Sequence, residues 1–142
     1  MSTWADAVRS IGEDGALVSA SAAILWLAVG YLGLLGVVVI AKPARARLFL
    51  SGFAQTTRAN MVEAGLRLLV GLAFVGASNQ TKYPSISVVI GLFLAVSALL
   101  MLLLPGLHRR FASRSTASLF GVFPLFGLAS LMLAAALAWF II

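Results

Sequence analysis

The sequence predicts an all-α membrane protein with four transmembrane helices and short interfacial helices, and two observations lead to this class. First, 62% of the 142 residues are hydrophobic and only 10% are charged, whereas soluble domains are about 45–50% apolar and about 25% charged. Too few polar side chains remain to cover a soluble surface. Second, the apolar residues form four runs, each long enough to cross the roughly 30 Å of bilayer hydrocarbon.

The four spans are predicted from these runs and from the prolines that bound them. They cover residues 18–41, 61–78, 84–104 and 119–142. Pro43 and Pro105 follow the first and third spans, which a proline cannot continue, and Pro84 suits the first turn of the third span. Pro124 lies inside the fourth run, so we expect a start near Leu119 with a distorted first turn; the alternative is a start at Pro124 itself.

Residues 1–17 are predicted to form an interfacial segment ahead of a single transmembrane domain at 18–142. An apolar face at helical spacing is formed there by Trp4, Val8 and Ile11, and Ser2 can cap the helix. Residues 43–60 indicate a second amphipathic interfacial helix. Acidic residues precede the first span and basic residues follow it, the reverse of a signal peptide, so we expect that span to be retained.

The basic residues that flank the spans predict the orientation. Two loops, after the first and third spans, hold Lys42, Arg45, Arg47, Arg58, Arg109, Arg110 and Arg114, whereas the opposite side holds only Arg9 and Lys82. We expect both termini on the periplasmic side of the inner membrane and the basic loops in the cytoplasm. There the seven basic side chains would contact anionic lipid headgroups. Nucleic-acid binding is not expected, because no base-contacting groups accompany them.

The two halves of the chain match at an offset of 62 residues. The matched positions are Pro43 with Pro105, Arg47 with Arg109, Phe49 with Phe111, Ser51 with Ser113, and Gly65-Leu66 with Gly127-Leu128. A duplication would give two parallel-repeat helical hairpins, related by an axis along the membrane normal. Chance similarity is the alternative, because proline and basic residues commonly follow membrane spans.

The second half places an apolar helix, a proline, a basic-aromatic loop and a glycine-containing helix in succession. It reads Leu104-Pro105-Gly106-Leu107-His108-Arg109-Arg110 and then Phe126-Gly127-Leu128-Ala129-Ser130-Leu131-Met132-Leu133-Ala134. Over about 60 residues this pattern resembles the small YjeT-type inner-membrane proteins of bacteria. The first half departs from it by carrying Glu63 and Arg67. The resemblance implies an inner-membrane hairpin but no activity, since that family has no assigned one.

Glu63 and Arg67 are the charged residues inside the predicted spans, which makes them candidates for ion coupling. They are four residues apart, with the acid on the N-terminal side, as ion pairing on one helix face prefers. In a transporter, Glu63 would be the proton- or cation-coupling carboxylate. The alternative is structural: Asn60 and Glu63 resemble a capping box, and Arg67 can extend its charge to the interface.

Small residues at helical spacing predict close helix packing in lipid. They are Gly30, Gly33 and Gly36 in the first span, Gly91 and Ala95 in the third, and Ser130, Ala134 and Ala138 in the fourth. The sequence shows no nucleophile–base pair and no paired carboxylates, and its single histidine, His108, lies beside arginines. We therefore expect no catalytic residues, no metal and no cofactor.

These features favour a non-catalytic accessory or scaffold protein that packs in a larger membrane assembly or a homo-oligomer. One alternative is a small homo-oligomeric transporter or channel that uses Glu63 and Arg67. A second alternative is a lipid- or quinone-binding membrane protein.

Overall fold

A computed structural model describes residues 3–13, 15–53, 56–107, 110, 114 and 123–142. Its main helices are α1 (Trp4–Glu13), α2 (Gly15–Ala41), α3 (Pro43–Phe53), α4 (Thr57–Gly76), α5 (Pro84–Leu103) and α6 (Phe123–Ile141), with a 3₁₀ turn at Ser78–Gln80. No strand occurs in the described ranges. Helices α2, α4, α5 and α6 are long and apolar enough to cross a membrane. The predicted all-α fold with four spans is confirmed, and the chain is a multi-pass membrane protein.

The helix bounds follow the predicted spans, with the largest differences at the helix starts. Helix α2 begins at Gly15 and α4 at Thr57, three and four residues before the predicted spans. Helix α5 begins at Pro84, which occupies the first turn as predicted. Helix α6 is described from Phe123, with Pro124 in its first turn. The predicted start near Leu119 lies outside the described residues.

The N-cap of α4 is Thr56, so the predicted capping role of Asn60 and Glu63 is wrong. Thr56 is extended, and its hydroxyl oxygen accepts a hydrogen bond from the Ala59 N–H at 3.1 Å. Asn60 lies one turn inside the helix, and its amide donates to the Met101 carbonyl of α5 at 3.3 Å. The helix starts a turn earlier than expected because Thr56 satisfies its free N–H groups. Residues 57–60 therefore belong to α4, not to the interfacial helix.

Helix α1 is held at its start by a reciprocal contact between Thr3 and Asp6. The Asp6 carboxylate accepts hydrogen bonds from the Thr3 backbone N–H at 2.9 Å and from the Thr3 hydroxyl at 2.8 Å. The backbone hydrogen bond, followed by the side-chain one, lowers the pKa of Asp6. The predicted cap, Ser2, lies outside the described residues. Helix α1 packs against the start of the span α2 and near the end of α4.

The largest helix interfaces connect the four long helices in the order α6, α2, α4, α5, an order that we call the row. The most extensive interfaces join α4 to α5 and α2 to α6, and a smaller one joins α2 to α4. Within the described ranges, α5 and α6 make no interface of similar extent, so the second predicted hairpin is not formed by direct packing. Helix α6 lies on α2 instead, with Gly127 directly against Gly36.

This order bears on the predicted duplication in two opposite ways. A two-fold axis along the membrane normal would exchange the α4–α5 pair with the α6–α2 pair, and these are the two largest interfaces. The same axis would exchange the α2–α4 contact with an α5–α6 contact, and these two differ in extent. The parallel-repeat interpretation stays a prediction.

The two ends of the protein along the helix axes differ in how they are packed. At the terminal end, where α2 begins and α6 ends, the buried residues Leu25, Ala73, Phe74, Ala77 and Ile141 form one apolar cluster. At the basic end, where α2 ends and α4 begins, the buried apolar cluster of the described residues consists of Val39 and Ala46. The larger apolar cluster thus lies at the terminal end.

Candidate functional site

Most of the predicted small residues lie in interfaces within the chain. A Cβ added to Gly91 would lie 2.5 Å from the Gly71 carbonyl oxygen, and one added to Gly36 would lie 2.8 Å from that of Gly127. The backbone nitrogen of Ala95 lies 3.0 Å from a Cβ added to Gly71. The remaining positions lie on α6, where Ser130 and Ala134 are buried and Ala138 is half-buried.

Gly30 and Gly33 are placed differently from the other predicted small residues. A Cβ added to either would meet no atom within 4 Å. Both lie on the same side of α2 as the exposed residues Trp26 and Val37, since the four are spaced i, i+4, i+7 and i+11. We call Trp26, Gly30, Gly33 and Val37 the open glycine face. It takes no part in packing within the described chain.

Glu63 and Arg67 form the ion pair that their spacing predicts. Arg67 Nη2 lies 2.9 Å from Glu63 Oε1, and the Glu63 and Arg67 side chains are 30% and 34% exposed. The carboxylate also interacts electrostatically with Tyr31 of the neighbouring helix α2. A polar cluster of Tyr31, Glu63 and Arg67 therefore lies at the α2–α4 boundary, within two apolar helices.

Tyr31 was not among the residues predicted to form a site. The only sequence signal was its rarity, since the chain has two tyrosines and this one lies within a long apolar run. Its proximity to Glu63 depends on how α2 and α4 are rotated against each other, which neither helix encodes alone.

A cleft opens beside this cluster, between α2 and α3. Its volume is about 290 Å³, and its lining residues are Tyr31, Leu34, Leu35, Val38, Arg45, Ala46 and Phe49. Ala46, 1% exposed, packs on Val39 and so holds α3 against the last turns of α2. We call this the α2–α3 cleft. Its walls are almost entirely apolar, so Tyr31 and Arg45 line it mainly with their carbon atoms. Its volume is near the lower limit of about 300 Å³ for ligand pockets.

The predicted lipid-contacting basic residues are exposed wherever the structure describes them. Lys42 joins α2 to α3, Arg45 and Arg47 lie on α3, and Arg58 lies in the first turn of α4. These positions bring four of the seven to the basic end. The other two described residues of the set, Arg110 and Arg114, are also exposed, and Arg109 lies outside the described residues.

The terminal end contains a polar contact that the sequence did not predict. The Lys82 backbone N–H donates to the Phe140 carbonyl at 3.0 Å, and the Lys82 ammonium lies 4.6 Å from the centre of the Trp139 ring. Lys82 lies just before α5, and Phe140 lies in the last turn of α6. This contact therefore joins the two outer helices of the row. It closes the terminal end of the protein.

Two further polar groups lie buried in helix contacts. Asn60 is 4% exposed and Ser78 is fully buried. Among the described residues, the Asn60 side-chain oxygen and the Ser78 hydroxyl have no hydrogen-bond partner. Among the residues that the structure describes, no group of three potential metal ligands is found.

The fold and this site define a class, the multi-pass α-helical membrane proteins, with four spans in a row and an apolar cleft at the basic end. Comparison with known proteins takes the assignment no further: no family model, curated protein or solved structure matches the chain. The resemblance to YjeT-type proteins stays a prediction.

Proposed function

We propose that this protein is a non-catalytic accessory subunit that packs against another membrane helix through the open glycine face of α2. The observation behind this proposal is the division of the glycines. Gly36, Gly71, Gly91 and Gly127 lie directly against neighbouring helices, whereas Gly30 and Gly33 face open space. In lipid, small residues let helix backbones approach closely, so an unused pair in mid-span suits a helix of another chain.

Glycine has a cost that an outside contact would offset. In a helix interior it is roughly 1 kcal/mol less favourable than alanine. Inside the chain, close backbone contact at Gly36 and Gly91 compensates for that cost. At Gly30 and Gly33 no such contact exists within the described chain. A partner helix seated on this face would supply one, with Trp26 and Val37 as its apolar margins.

The orientation is part of the same proposal. Exposed basic side chains gather at the basic end, where α3 and the first turn of α4 meet. Because Lys and Arg are enriched on the cytoplasmic side of membranes, we place the basic end in the cytoplasm and both termini in the periplasm of a bacterial inner membrane. Cysteine labelling from either side of the membrane, at Thr3 and at Arg58, tests this placement.

The proposed partner contact is tested by native mass spectrometry of the protein extracted gently from its own membrane. We expect co-elution with larger subunits, or with further copies of this chain, at fixed stoichiometry. Gly33→Leu should abolish that co-elution by filling the open glycine face. Gly65→Leu is the matched control, because Gly65 on α4 is also open to a Cβ but lies off this face.

Two results would contradict the proposal. One is a wild-type protein that purifies alone, without companions, and shows its own flux activity in liposomes. The other is a Gly33→Leu variant that retains its partners as fully as the Gly65→Leu control does.

The ion pair favours a second candidate, a homo-oligomeric transporter or channel. Glu63 and Arg67 are about one-third exposed within a span, and the Glu63 carboxylate interacts electrostatically with Tyr31 on the next helix. Charged groups at that depth commonly mark ion pathways. Their pairing within one helix equally suits a structural role, and for that reason the accessory subunit is our first proposal.

A further inference from the structure

We infer that the α2–α3 cleft binds one acyl chain of an anionic phospholipid, with the lipid phosphate held by Arg45. This site lies next to the open glycine face but is distinct from it, since its lining residues are on a different side of α2. The inference does not depend on the proposed subunit contact.

The shape and polarity of the cleft match a hydrocarbon chain. Its α2 wall consists of Tyr31, Leu34, Leu35 and Val38, and Phe49 lines the opposite side from α3. A volume of about 290 Å³ holds part of one acyl chain, whose remainder would continue into the surrounding bilayer. Because α2 is a membrane span, lipid chains are the apolar molecules always present at this surface.

The charge at the cleft selects the headgroup. Arg45 lines the cleft, lies on α3 just beyond the end of α2, and is exposed. Within the described residues no carboxylate lies within ion-pair distance of its guanidinium. An arginine fork binds phosphate through two hydrogen bonds. Lys42, one turn earlier in sequence, and Arg47 add positive charge nearby, which favours phosphatidylglycerol over a zwitterionic lipid.

The fold explains why the cleft exists. A single residue, Lys42, separates α2 from α3, so α3 turns back onto the last turns of α2. The small, buried Ala46 allows this close approach, whereas Tyr31 and Phe49 hold the two helices apart further along. Small and large side chains thus lie next to each other along the two helices and leave a space between them. This space opens beside Arg45.

The test measures lipid binding to the purified full chain in dodecyl maltoside by native mass spectrometry. Dioleoyl-phosphatidylglycerol and dioleoyl-phosphatidylcholine are titrated separately. Both lipids carry a phosphate, but in phosphatidylcholine the choline ammonium competes with Arg45 for it. We therefore expect phosphatidylglycerol to bind about tenfold more tightly, a difference of about 1.4 kcal/mol. Arg45→Gln should remove this preference. Arg45 is exposed, and an unchanged circular dichroism spectrum will show that the variant folds.

Two further variants distinguish the contribution of the lipid headgroup to binding from that of the acyl chain. Arg47→Gln removes the same charge from the same helix but not from the cleft lining, so it measures the general electrostatic attraction; we expect less than about a threefold loss, as for a screened surface charge. Leu34→Trp fills the cleft at an exposed position and should weaken both lipids together.

Three outcomes would overturn the inference. Equal losses in Arg45→Gln and Arg47→Gln would show that the basic end attracts lipid without a site. Unchanged binding in Leu34→Trp would show that no chain occupies the cleft. Displacement of phosphatidylglycerol by decylubiquinone, with equal potency in wild type and Arg45→Gln, would identify a quinone as the occupant instead.

Discussion

The two ends of the α2–α4 boundary differ sharply, although the same two helices form both. At the terminal end Ser21 lies directly against Gly76, and Leu25 is completely buried beside Ala73. At the basic end Tyr31 is 51% exposed, and the side chains of the Glu63–Arg67 pair are about one-third exposed. Small residues pack closely at one end, and large, partly exposed polar residues lie at the other.

The difference teaches where this protein can bind other molecules. Helix association in lipid depends on close van der Waals packing, which small residues permit. Where that packing is complete, as around Leu25, there is no room for a ligand. Where it stops, the helices leave a cleft whose walls are apolar and whose margin is charged. Substitutions in the closed and open regions should therefore differ in their effects on stability.

The largest effect is expected where helix backbones already touch. Gly91→Leu places a side chain against the Gly71 carbonyl, 2.5 Å from its first carbon. We expect a loss of roughly 3 kcal/mol in the free energy of unfolding, the upper end for overpacking. Unfolding in sodium dodecyl sulfate, followed by circular dichroism, measures it. Gly30→Leu is the control at an open glycine; an equal loss there would contradict the contrast.

A second comparison is between two leucines of α2, one buried and one exposed. Leu25 is fully buried, and Leu34 is 66% exposed. We expect Leu25→Ala to cost about 2 kcal/mol, at the low end of the range for soluble cores, because in lipid only packing is lost. Leu34→Ala should cost less than about 0.5 kcal/mol, as surface changes do. The same unfolding assay applies, and similar costs for both would mean that α2 is packed evenly along its length.

The ion pair at the open end should contribute little to stability. Glu63→Gln is expected to lower the free energy of unfolding by about 0.5 kcal/mol or less, since pairs at this spacing on partly exposed helices are weak. The accessory proposal further predicts unchanged partner binding and no change in liposome flux. Loss of a proton- or cation-dependent flux, with assembly intact, would instead support the transporter. Arg67→Gln is the control, because it breaks the same ion pair but keeps the Glu63 carboxylate.

The smallest effect concerns α1, at the outer margin of the closed end. Hydrogen bonds from Thr3 hold the pKa of Asp6 below its ordinary value of 3.8. The folded-state pKa is therefore the lower one, so the stabilisation is complete above about pH 4 and is lost as the pH falls through the folded-state pKa. The protection factors of the α1 amides, obtained from hydrogen exchange by NMR after correction for the intrinsic pH dependence, should fall at low pH. Asp6→Asn should remove that pH dependence, and its persistence would assign it to another group.

Much of the fold could be predicted from the residues alone. The four spans follow from apolar runs that are long enough for a bilayer, and the start of α5 follows from Pro84. The start of α4 was missed because Thr56 caps the helix within a polar stretch that hydropathy assigns to a loop. The Glu63–Arg67 pair was predictable because its spacing is local to one helix. The cleft was not, because its walls come from two helices whose angle depends on Lys42 and Ala46.

The residues alone establish four membrane spans, the charges that lie within them, and the end of the helices at which basic residues gather. The order of the helices and the contacts between glycines depend on the tertiary fold. Helices such as α2 show why, because its 27 residues include no charged side chain. A helix that is apolar on every side has no face dictated by hydropathy. Its rotation is set by the fit of its neighbours, which leaves Gly36 buried against α6 and Gly30 open.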